Sequence, residues 1–155
     1  MTDYAELTLE AFYKGINCAQ VVLSVFATEF GLDGETARKI ASGFGGGIGR
    51  MGGTCGAVSA AYMVLGLKYG DADGEDSEAR EMLVRQLRTF RRRYENKRGS
   101  ISCRELIGFN LRDPLQYNKV VERGLFFEVC PNLVADAIGI VREIIDQNGM
   151  NIAPK

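Results

Sequence analysis

The chain has 155 residues, with 19 Lys plus Arg against 20 Asp plus Glu and a net charge of −1. That balance excludes a dedicated nucleic-acid binder and a polybasic membrane module. With 46% hydrophobic and 25% charged residues the composition is that of a globular domain, and its apolar runs are too short to span a bilayer.

Helical spacing runs the length of the chain. Leu9, Phe12 and Tyr13 mark a first helix of roughly ten residues. Asn17 with Gln20 is a capping box opening a second, with Val21, Val22, Val25, Phe26 and Phe30 apolar and Gly31 as its stop. Asp33 caps a short third helix through Ile40. A glycine-rich stretch, Gly43 to Gly53, separates it from a fourth, capped by Thr54 and carrying Val58, Ala61, Tyr62, Val64 and Leu65. An acidic loop leads to the longest helix, begun at Asp76 or Ser77, with the stripe Ala79, Met82, Leu83, Leu87, Phe90 and Tyr94. Ser102 with Glu105 opens a short helix ending near Phe109. Asp113-Pro114 opens another, stopped at Gly124, and Pro131 to Gln147 forms the last. There is no strand-like alternation, internal repeat or linker. The expectation is an all-α single domain over residues 1–155, a bundle of about six to eight helices with the glycine-rich loop between the third and fourth.

The chain contains no His, which removes the commonest general base and metal ligand, but it has four Cys. The acidic N-terminus has no apolar leader segment, so a cytoplasmic location is expected. In that reducing setting, structural disulfides are not expected. Cys18 follows the cap Asn17, Cys55 follows Thr54, Cys103 follows Ser102, and Cys130 precedes Pro131 and reads as a cap itself. All four thiols thus fall at or beside expected helix starts, where free N–H groups and the helix dipole favour a thiolate. The thiolate is both nucleophile and metal ligand. If the four starts converge, they form one electropositive thiol pocket; the plain alternative is four inert core cysteines.

Between Gly43 and Gly56 eight of fourteen residues are glycine. Gly47-x-Gly49-x-x-Gly52 matches a dinucleotide fingerprint in letters, but no strand precedes it, and Gly53 stands where a P-loop needs lysine. The loop is instead expected to deliver Cys55 to its helix. The backbone of Gly47, Gly49, Gly52, Gly53, Thr54 and Gly56 would then face an anionic cofactor. Arg50 is its one charged residue.

The segment Gly45 to Ala57, with Cys18 before it and Cys103 and Cys130 after it, resembles the redox-active protein family named for its C_GCAxxG_C_C pattern. The likeness runs from Asn17 to about Gly139. This chain departs from the literal pattern in having Thr54-Cys55-Gly56-Ala57, and Ala60 where a glycine would fall. The resemblance implies a redox role for Cys18, Cys55, Cys103 and Cys130.

Two chemistries suit such a site. The thiols either cycle between dithiol and disulfide, with Cys55 attacking, or together ligate an iron–sulfur cluster or another thiophilic metal. Expected partners are a redox protein or a small thiol or disulfide substrate; a homo-oligomer stays open. The rival reading is a helical interaction module. The basic run Arg85 to Arg98 reads first as a solvated helix face, and the carboxylates Asp71 to Glu78 as an exposed loop.

Overall fold

A computed structural model describes residues 2–150. Among them lie eight α-helices: α1 (Tyr4–Tyr13), α2 (Cys18–Ala27), α3 (Gly34–Ala41), α4 (Gly56–Tyr69), α5 (Ser77–Arg98), α6 (Cys103–Ile107), α7 (Pro114–Glu122) and α8 (Leu125–Met150). Short 3₁₀ turns extend α2 and α3, and the described residues contain no strand beyond one isolated bridge between Thr54 and Ser102. The glycine-rich loop does separate α3 from α4. No single described helix is long and apolar enough to cross a membrane.

The helix starts follow from capping chemistry. Asn17 accepts the N–H of Gln20 at 3.1 Å, while the Gln20 side chain accepts the N–H of Asn17 at 2.9 Å. The same two side chains donate to the Ser42 and Arg38 carbonyls, which ties the start of α2 to the end of α3. Asp76 caps α5 through Ala79 N–H, and Asp113 caps α7 with Pro114 in its first turn.

Two apolar clusters result. The larger joins Val22, Leu23 and Phe26 of α2, Val58 and Val64 of α4, Phe90 and Tyr94 of α5, and Val134, Ile138 and Val141 of α8. The smaller is Ile107, Leu111 and Val120 around α6 and α7. Helix α4 carries no clear polar face near its start, where Gly56, Ala57, Ala60 and Ala61 are all buried and let α2 approach closely.

Two boundaries depart from the sequence reading. Thr54 does not cap α4; it pairs with Ser102 across the bridge, and Cys55 takes the cap position. The last helix starts not at Pro131 but at Leu125, so Cys130 lies inside α8 and not at its N-terminus. Proline inside a helix costs about 3 kcal/mol or more. It is tolerated here in the second turn, where its missing N–H forfeits one bond and the helix beyond it buries Leu133, Val134, Ala137, Ile138 and Val141. Gly124, expected only as a stop, also begins α8: its carbonyl accepts from Phe127 and Glu128.

Candidate thiol site

All four cysteines are free, and all four line one cavity of about 490 Å³. Cys18 is the first residue of α2, Cys103 the first of α6, and Cys55 the cap of α4. Cys18 and Cys55 belong to the larger apolar cluster, whereas Cys103 and Cys130 pack against the smaller one. The site therefore sits on the seam between the two clusters.

Backbone contacts set the spacing. Cys55 N–H donates to the Ile101 carbonyl, and Cys103 N–H donates to the Gly53 carbonyl, both at 2.7 Å. This short ladder around Thr54 and Ser102 holds the starts of α4 and α6 side by side. A Cβ on Gly56 would come within 2.6 Å of the Cys18 sulfur, and one on Gly47 within 2.7 Å of the Cys103 Cβ. The glycines are thus where thiol-bearing backbone and loop touch. From Gly46 to Arg50 five consecutive residues have positive φ, at 67°, 70°, 67°, 57° and 61°. A left-handed run of that length is rare, and Ile48 and Arg50 have no glycine licence for it. It is held by bonds such as Gly53 N–H to the Gly47 carbonyl at 2.8 Å.

The loop residues singled out from the sequence divide. Gly49 and Gly56 line the cavity; Gly47, Gly52, Gly53 and Thr54 stand behind its wall. Gly43, Gly45 and Gly46, not singled out, do line it, and the Gly46 N–H reaches Cys18 sulfur. The consecutive glycines of that stretch were the available signal. In the sequence Tyr94 stands in the core stripe of the longest helix, with a role as acid or ligand contact as the lesser alternative. Its buried hydroxyl donates to the Leu133 carbonyl at 3.3 Å and also lies within hydrogen-bonding reach of Cys55. A buried tyrosine hydroxyl must find a partner.

The electrostatics correct the expectation of lowered thiol pKa values. Burial pushes Cys18 up to about 12, with the charges of Cys55 and Cys103 adding to it and the Gly46 and Ala19 N–H groups opposing. Burial, then Cys55, raises Cys103 to about 12 as well. Cys55 is raised by burial against the N–H groups of Ala57 and Val58 and the Tyr94 hydroxyl. Burial also raises Cys130, reinforced by the other three thiols. Helix-start N–H groups oppose the rise at Cys18 and Cys55 only, and desolvation outweighs them there. At neutral pH the pocket holds protonated thiols.

A family model described as "Putative redox-active protein (C_GCAxxG_C_C)" matches residues 16–144. The chain belongs to this family. No curated protein and no solved structure matches it. The matched span contains all four cysteines, the left-handed loop and most of α8.

The donor set suits a soft, sulfur-ligated group. The wall offers four thiols, no imidazole and no carboxylate, and Arg50 is the one charged side chain among the described residues lining it. Among the described residues no three His, Cys, Asp or Glu side chains are gathered tightly enough to grip a single ion.

Proposed function

We propose that Cys18, Cys55, Cys103 and Cys130 together hold an iron–sulfur cluster, and that this redox-active protein serves as an electron carrier or redox sensor. One observation carries the reading: four buried or half-buried thiols converge on one cavity whose lining, among the described residues, holds no cation but Arg50, open to solvent. Iron supplies the positive charge that such thiols need in order to ionise.

A bound cluster would provide a one-electron couple. The chain's own contribution is orientation and hydrogen bonding. Cys18 receives the Gly46 N–H and Cys55 those of Ala57 and Val58, while the Tyr94 hydroxyl, whose proton goes to the Leu133 carbonyl, lies beside Cys55. Donors to sulfur stabilise the more negative, reduced state and raise the potential. The rings of Phe12, Phe126 and Phe127 and the Leu133 side chain limit water around the sulfurs. Four unpaired thiols suit a reducing, cytoplasmic setting.

Dithiol–disulfide exchange is the second reading, favoured by the partial exposure of Cys18, Cys103 and Cys130. It is disfavoured by the same burial that suppresses thiolate formation, since a thiol titrating near 12 is rarely the attacking anion at neutral pH.

The test is iron and acid-labile sulfide per chain after anaerobic purification and reconstitution. Both should be stoichiometric, and Cys→Ser at any one of the four positions should lower both. If neither binds, the cluster reading fails. Thiol counts before and after mild oxidation then separate exchange chemistry from an interaction module with inert core cysteines.

A further inference from the structure

We infer that the mouth of the thiol cavity binds a small organic carboxylate with an apolar or aromatic body, its carboxylate held by Arg50. The inference rests on this cavity being the functional site, as proposed above, but not on iron.

The cavity wall changes character with depth. Cys55 at the inner end is 4% exposed, whereas Phe127 is 39% exposed and Arg50 lies open to solvent. Between them stand the half-buried rings of Phe12, Tyr117 and Phe126. An aromatic wall with one guanidinium at its edge is the lining that takes an amphiphilic anion: rings accept the body, and a planar fork of donors fixes the head.

Arg50 is also placed there at some cost. Its own φ of 61° is one that glycine adopts freely and arginine does not. Gly46 must lack a side chain for Arg50 to fit, since a Cβ there would sit 2.9 Å from the Arg50 Cα and 3.0 Å from its Cγ. The guanidinium then rests over the Tyr117 ring, 4.9 Å from its centroid. No carboxylate among the described residues forms a salt bridge with it. A charged side chain held in a strained backbone, steered by a ring and left without a counter-ion at a cavity mouth, is placed for a ligand's charge. Packing alone would be met by glycine at this position.

The probe pair is benzoate and its neutral counterpart benzamide, titrated into the isotope-labelled, reduced full-length chain and followed by amide NMR shifts, with inorganic phosphate as a third probe. The expected result is benzoate held at least tenfold more tightly than benzamide, with shifts at Gly49, Tyr117 and Phe126. Arg50→Gln should abolish that preference while leaving benzamide binding as it was. Arg50→Gly should abolish it too and melt no lower than the parent, which separates lost recognition from lost fold. Equal affinity for the two probes, a preference that survives Arg50→Gln, phosphate binding as tightly as benzoate, or a clearly lower melting point for Arg50→Gly would each overturn the inference. Absence of iron and sulfide with the benzoate preference intact would sink only the cluster reading.

Discussion

The glycine loop and α8, which packs against α5, both line the thiol cavity, yet they are held in opposite ways. In α5 and α8 side chains do the holding. Phe90 stacks on Tyr94 at 5.7 Å, both wholly buried, and Asp136 of α8 accepts from Lys97 at 2.7 Å and from Arg98. In the loop the holding is done by their absence. Gly47 is buried with backbone and Cys103 packed where a Cβ would go, and Gly45 is likewise closed off by Asn17. A hydrophobic core tolerates adjustment because side chains have rotamers. A backbone-on-backbone contact has none, so the loop fixes the cysteines more rigidly per residue but is less forgiving of change.

Substitution on each side tests that contrast. Phe90→Ala should cost about 3–5 kcal/mol in denaturant unfolding, the range for emptying a large core position. The fraction still folded should bind iron and sulfide as the parent does, because the loop and caps are untouched. Gly47→Ala should cost less, about 2–3 kcal/mol from its positive φ and the forced contact, but should lower iron and sulfide binding in the folded protein. If Gly47→Ala keeps full iron content, the loop does not set the thiol geometry and the contrast fails. The smallest effect per step is alkaline. Folded Cys18 and Cys103 keep their protons to about 12, while the ordinary thiol value is 9.0. Stability of the metal-free chain is then whole below pH 9 and declines as pH rises toward 12, because the unfolded state releases those protons first. Each thiol adds at most about 1.4 kcal/mol per pH unit. A thermal-melting series showing no decline above pH 9 would mean that the pocket does not hold these thiols protonated.

These regions also differed in how far they could be read from sequence. Local chemistry was legible: the Asn17–Gln20 box, the Asp76 cap and the Asp113-Pro114 start all fall where their residue types put them. What depends on distant chain was not. Thr54 has a good capping side chain, but Ser102 claims its backbone for a bridge, so the cap moves one residue to Cys55. Pro131 carries a strong start signal, overridden because α8 has packing partners on both sides of it: Leu125, Phe126, Val129 and Cys130 lie half-buried against the smaller cluster before it, and Leu133, Val134 and Ala137 are buried after it. Ile48 argues against a left-handed turn by its own preference, and only the surrounding glycine contacts impose one. The direction of the thiol pKa values turned on burial, which helix-start position alone does not give.

Cys130 lies on the last described helix, whereas Cys18 opens the second. During synthesis the first three thiols leave the ribosome well before the wall that completes their site. Until α8 docks, the first three thiols stand without the Cys130 side of their cavity. In the proposed reading a bound centre would be complete only once α8 has docked, and a supply system that delivers iron and sulfide only to the docked fold would guard the chain against capture by the wrong metal.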